Sequence, residues 1–136
     1  MKNIEVGAYR IRHLALQVED LERSISFYVN GLGMKLLRRR ATAERNEIAA
    51  YLGYGDEATE VAIELFQFLD NQKSSHLSHP SHVAIAVNGI EDVIKILMQH
   101  GAQIKSAPKH HSAGSPSKFA FVLDPDGHEI ELTQAG

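Results

Sequence analysis

Four side chains of this 136-residue chain have the types and spacing to hold a metal ion: His13, Glu64, His82 and Glu131. Both glutamates interrupt apolar runs, Val61-Ala62-Ile63-Glu64-Leu65-Phe66 and the stretch FAFVLDPDGHEIEL that spans 119–132. A carboxylate withdrawn from water needs a partner, because an isolated buried charge is very costly. His82 follows His13 by 69 residues and Glu131 follows Glu64 by 67, so the two His/Glu pairs stand at equivalent places in two halves. Two imidazoles and two carboxylates form a mixed nitrogen and oxygen donor set suited to Ni²⁺, Zn²⁺, Co²⁺, Fe²⁺ or Mn²⁺. The cation would also supply the charge that the two acids require. Taken singly, a strand His is more often a packed or edge residue, and a Glu more often wets a surface. Four of them at equivalent places in a repeat favour the metal.

The elements that must position them follow from hydrophobic periodicity. Residues 10–18, RIRHLALQV, alternate as a strand, with Leu14, Leu16 and Val18 on one face and His13, Ala15 and Gln17 on the other. Asp20 is placed to cap a helix carrying Leu21, Ile25, Phe27 and Tyr28, which Gly31 and Gly33 end. Three strands follow, from Met34, over 48–52 and over 60–68. Residues 69–81 are polar, with Ser and Pro, and read as a linker. The pattern then restarts: His82-Val83-Ala84-Ile85-Ala86-Val87 echoes His13-Leu14-Ala15-Leu16-Gln17-Val18. A helix through Ile90, Val93, Ile94, Leu97 and Met98 ends at Gly101, a strand covers 102–106, and 107–117 read as a loop. Asp124-Pro125-Asp126-Gly127 turns the last two strands into a hairpin. The chain thus reads as one α+β domain of two tandem β-α-β-β-β modules, 9–68 and 82–134, forming a curved mixed sheet around a metal-binding cavity. Pseudo-symmetry, or exchange between subunits, would bring all four donors together. Ala15, Ala84 and Ala86 on the same face leave room for a substrate.

Composition removes several function classes. Cysteine is absent, which excludes disulfides, thiolate ligands and a cysteine nucleophile. A net charge of −3 gives no footprint for nucleic acid. No apolar run has the length of a membrane span, and the first residues lack a signal-peptide core, so a cytoplasmic protein is expected. Of the other histidines, His76 and His79 fall in the linker, His100 at a helix end and His128 opposite Glu131, all expected to be structural or solvated. Lys109, His110 and His111 lie in the 107–117 loop, where either a substrate lid or a plain exposed basic loop is expected. The Arg38-Arg39-Arg40 run reads chiefly as a charged edge strand that discourages aggregation, and secondarily as a greeting for an anion.

These residues resemble the vicinal oxygen chelate (glyoxalase, bleomycin resistance and dioxygenase) superfamily, and within it the glyoxalase I, or lactoylglutathione lyase, family. The likeness is carried by His13 with DLERSISFY (20–28), GLGMKLLR (31–38), YLGYGDE (51–57), VAIEL (61–65), HVAIAV (82–87) and AFVLDPDGHEIEL (120–132), nearly the whole chain. It implies a metal-dependent lyase that isomerises a 2-oxoaldehyde hemithioacetal to a 2-hydroxyacyl thioester through an enediolate. It implies His13, Glu64, His82 and Glu131 as ligands, Ni²⁺ or Co²⁺ with Zn²⁺ as a further candidate, and a homodimer. Glu131 would be the catalytic base and Glu64 the second choice. The resemblance departs at two places: Gln17 stands where the family carries an arginine for glutathione, and Phe68 where it carries an asparagine. Rival readings are another superfamily enzyme (an epimerase, a dioxygenase or a thiol transferase) with a different substrate, and a metal-free binding or resistance protein. The intact four-residue set counts against the three-ligand and metal-free rivals.

Overall fold

The computed structural model describes residues 11–43, 46–70 and 82–136. The expected linker falls almost entirely outside them, as do His76 and His79. Strand β1 (His13–Gln17) leads to helix α1 (Leu21–Ser26), a π-helical turn (Phe27–Gly31), and strands β2 (Lys35–Thr42), β3 (Glu47–Gly53) and β4 (Ala62–Phe68). After it come β5 (Val83–Ala86), α2 (Ile90–Gln99), β6 (Gln103–His110), β7 (Lys118–Leu123) and β8 (Glu129–Gln134). Each half makes its own four-stranded mixed sheet, ordered β1-β4-β3-β2 and β5-β8-β7-β6. Its first and last strands are parallel neighbours, and its other pairs are antiparallel. Among the described residues no helix is long and apolar enough to cross a membrane.

Local chemistry sets the boundaries. The Asp20 carboxylate accepts the Arg23 amide at 3.1 Å and caps α1. The π turn that follows buries both Phe27 and Tyr28. Gly101 closes α2 at a φ of +97°, a conformation that β-carbon sterics discourage in other residues.

One cluster of buried side chains draws on both halves: Leu16, Val18, Leu21, Leu52 and Leu65 pack in it with Ile85, Leu97, Ile130 and Leu132. Burying each such side chain contributes about 1.5–3 kcal/mol. The apolar parity of β1, β4, β5, β7 and β8 is thereby committed to the core side. His13, Ala15, His82, Ala84 and Ala86, of opposite parity, are exposed.

Polar ties from the β7–β8 turn also join the halves. Asp126 accepts the Glu19 amide (3.0 Å), Arg23 Nη2 (2.9 Å) and Ser24 Oγ (3.0 Å). Tyr28 Oη donates to Asp124 at 2.7 Å, and His128 Nε2 donates to the Gln17 carbonyl at 2.8 Å. His128 is therefore a buried structural residue rather than a solvated one.

The expectation of a loop over 107–117 is corrected. β6 continues to His110, so only 111–117 connect the strands. Ala107-Pro108 reads as a breaker, but β6 is the edge of its sheet, where a proline costs no ladder bond if its missing N–H faces outward. Shifts of register between Ile104 and Ser106, and between Ser106 and Lys109, absorb the irregularity.

Candidate metal centre

Register places the expected donors. In the first sheet Ala15 lies beside Glu64 and Glu64 beside Tyr51, so His13, Glu64 and Tyr51 share the outer face. In the second, Ala84 lies beside Glu131 and Glu131 beside Phe121, so His82, Glu131 and Phe121 do the same. His13 Nε2 is 3.5 Å from Glu64 Oε1, and His82 Nε2 is 3.3 Å from Glu131 Oε1. Ring contacts repeat as well: His13 meets Tyr51 edge-on at 5.5 Å, and His82 meets Phe121 edge-on at 5.5 Å.

Two half-sites result, not one. Among the described residues no group of three His, Asp or Glu is close enough to hold a metal ion within a single chain. The chain by itself thus brings His13 to Glu64 and His82 to Glu131, and does not bring all four together.

The first half-site opens into a cleft of about 530 Å³ lined by His13, Arg40, Glu47, Tyr51, Glu64 and Phe66. Of these lining residues, the sequence reading named Arg40 only within the arginine run and gave Tyr51 and Glu47 no place in the site. Arg40 Nη2 donates to Glu64 Oε2 at 2.7 Å and to Glu47 Oε1 at 2.8 Å, and its Nη1 donates to Thr42 Oγ1. Tyr51 Oη donates to the same Glu64 Oε2 at 2.5 Å. Burial pushes the Glu64 carboxyl up, yet the hydrogen bonds from Tyr51 and Arg40, with the Arg40 and His13 charges, outweigh it and hold the group below its ordinary value. Hydrogen bonding to Glu47, Glu64 and Tyr51 raises the Arg40 guanidinium, which stays charged throughout. Arg38 stacks on the Tyr51 ring at 3.7 Å while pairing with Glu57, and Arg39 pairs with Glu22 away from the site. The arginine run is an edge strand, as expected, but its third member is part of the cleft.

Lys109, His110 and His111 do not line this cleft. His111 instead stacks on Phe119 at 4.7 Å and bonds Ser117 at 2.8 Å, and Phe119 and Phe121 connect that patch to His82. Phe68 packs edge-on against Phe66 at 5.8 Å.

The donors fit a divalent cation. Two ligands about 2.0–2.2 Å from one ion, at octahedral or tetrahedral angles, stand about 3.0–3.6 Å apart, and both His/Glu pairs have that spacing. Glu47 offsets Arg40, so the two half-sites together retain the two negative charges of Glu64 and Glu131, which a divalent ion would balance.

Comparison with known proteins identifies the family. The profile of the glyoxalase/bleomycin resistance protein/dioxygenase superfamily matches residues 10–132. The chain belongs to this superfamily. Within it, a lactoylglutathione lyase of Salmonella typhimurium is 37% identical over 126 residues, 93% of each chain. Glyoxalase I from Zea mays superposes with a TM-score of 0.81 at 34% identity, over 93% of this chain and 45% of the maize chain, so the chain spans about half of that longer protein. The trypanothione-dependent glyoxalase I of Leishmania major superposes with a TM-score of 0.71 at 32% identity, over 93% and 87% of the two chains. The protein is an enzyme of glyoxalase I-like, lyase function acting on a small molecule, and membership of this family implies a divalent metal.

Proposed function

We propose that the chain is a cytoplasmic homodimer that isomerises the hemithioacetal of a 2-oxoaldehyde and a thiol to a 2-hydroxyacyl thioester. Its metal centre is built from His13 and Glu64 of one subunit and the partner's His82 and Glu131. The observation that carries this reading is the pair of matched half-sites, each with two donors at ligand spacing and each incomplete alone. A maize relative long enough to hold two such units in one chain is consistent with a site that needs both.

The metal, when bound, acts as a Lewis acid that polarises the substrate carbonyl and makes the neighbouring C–H bond acidic. Nickel or cobalt is the favoured ion, with zinc as a further candidate. Glu131 takes the proton from the thiol-bearing carbon and returns it to the adjacent carbon, while the hydroxyl proton passes from one oxygen to the other. Atoms and oxidation level are conserved overall. A carboxylate is a weak base toward carbon, so proximity and electrostatics must supply much of the barrier reduction. Glu64, bonded by Arg40 and Tyr51, is the less mobile of the two acids. Ala15, Ala84 and Ala86 leave space above the donors.

The thiol is the open part of this assignment. Gln17 offers no cation to a carboxylate, and Phe68 replaces an amide with a ring. The Leishmania relative depends on trypanothione, so the thiol varies among proteins this similar. Thioester formation should be measured with metal-stripped protein reloaded with Ni²⁺, Co²⁺ or Zn²⁺, using methylglyoxal with glutathione and then with other thiols. Metal-dependent turnover with any of these thiols supports the reaction, and the preferred one names the substrate. Tight metal binding without turnover on any of them would overturn it.

A further inference from the structure

The two half-sites are near copies, and what differs between them has a consequence for catalysis. Tyr51 and Phe121 hold the same register position opposite Glu64 and Glu131 and make the same edge contact with His13 and His82. They differ by one hydroxyl, and that hydroxyl is bonded to Glu64. Arg40 is the second difference. It reaches Glu64 from edge strand β2, whereas no arginine or hydroxyl donates to Glu131 among the described residues. A bulge at Leu37 decides this. Leu36 pairs with Leu52 but Arg38 pairs with Tyr51, so the extra residue turns Arg38 and Arg40 onto the site face and leaves Arg39 off it.

The donors divide the Glu64 carboxylate between two tasks. Oε2 is taken by Arg40 at 2.7 Å and Tyr51 at 2.5 Å, while Oε1 is turned to His13 at 3.5 Å. Glu47, itself buried, accepts from the same Arg40 Nη2 and balances its charge. Such a carboxylate can present one oxygen to a cation without rotating, and cannot swing away from it without abandoning two strong hydrogen bonds. Glu131 carries no comparable restraint.

We propose that Arg40 and the Tyr51 hydroxyl are positioning residues that fix Glu64 as a one-oxygen metal ligand and thereby leave Glu131 as the carboxylate free to move protons. This rests on the metal-centred reading above. It adds the physical reason why two symmetry-equivalent acids take different roles.

Calorimetric titration of metal-stripped protein with Ni²⁺, and the visible spectrum of the Co²⁺-loaded protein, test it without reference to turnover. Tyr51→Phe and Arg40→Gln should each weaken metal binding by about 10–100-fold and alter the Co²⁺ spectrum. Arg40→Lys, which keeps the charge but loses the second nitrogen that bonds Thr42, should recover part of the affinity. Wild-type affinity and spectrum in Tyr51→Phe and Arg40→Gln would overturn the proposal. Tighter binding in Arg40→Gln would overturn it too, by showing that the guanidinium competes with the metal for Glu64. If Arg40→Gln fails to fold, Tyr51→Phe decides, since it removes a single oxygen at constant shape. A wild-type protein that binds no divalent metal would instead refute the metal-centred reading itself, and with it this proposal.

Discussion

Replacing Asp126 with alanine should destabilise the fold by an amount that its contacts define. The Asp126 side chain is fully shielded and accepts three hydrogen bonds from the other module. Arg23 is 44% exposed and can turn to water, so its exposed ion pair contributes about 0–1 kcal/mol. Glu19 is exposed, and its amide can likewise take a water. Ser24 is completely buried, and an orphaned buried hydroxyl costs about 1–3 kcal/mol. The total is about 1–4 kcal/mol, centred on ~2.5, and at roughly 3–5 °C per kcal/mol for a chain of this size the melting temperature should fall by about 10 °C. Asp126→Asn keeps one acceptor oxygen and offers an N–H to the Ser24 hydroxyl, so it should lose about 1 kcal/mol. Thermal unfolding followed by circular dichroism at neutral pH measures both. Metal affinity at low temperature should survive in both variants, because these ties lie at the β7–β8 turn and not among the cleft residues. A fall of less than about 3 °C in Asp126→Ala would refute the idea that this turn locks the modules together.

Two further outcomes follow from buried groups and from the site. Burial and the adjacent Asp124 charge push the Tyr28 phenol well above its ordinary value of 10.0. The unfolded chain therefore loses this proton first, so the stability contributed by Tyr28 is full below about pH 10 and is lost as pH rises beyond it. Tyr28→Phe should cost about 1–3 kcal/mol at neutral pH by leaving the buried Asp124 Oδ2 without its hydrogen bond and should decline less steeply than wild type in alkali; parallel declines would contradict this. Glu131→Gln should lower turnover by about 10²–10⁴-fold with little change in melting temperature, and retained turnover would move the base to another residue.

Much of this architecture was legible because its determinants are local. Asp20 as a cap, Gly101 as a helix end and the Asp124–Gly127 turn each act within a few residues, and all three are found as read. Strand parity fixed which side chains share the outer face with His13 and His82. Arg40 was illegible for the opposite reason. Its partners sit on β3 and β4, and whether it or Arg39 faces them depends on one bulged residue that no periodicity announces. Pro108 misled because its effect depends on whether β6 lies at an edge, a property of the whole sheet. His128 reads equally as structural or solvated, and only the packing of the turn against β1, where it donates to the Gln17 carbonyl, decides for the former. The proposed union of the four donors could not be read from one chain's fold, which brings them together only in pairs.

Complementation between two inactive variants tests that union most directly. His13→Ala damages only the first half-site and Glu131→Gln only the second. In a two-fold dimer with shared sites, a mixed pair holds one doubly damaged centre and one intact centre. Random 1:1 reassembly should then regain about a quarter of wild-type metal-dependent activity, since half the dimers are mixed and each has one good site of two. The reassembled mixture, with mixed dimers confirmed by mass, should turn over where neither parent does. No gain over the parents in confirmed mixed dimers would show that the half-sites of different subunits do not form one metal centre.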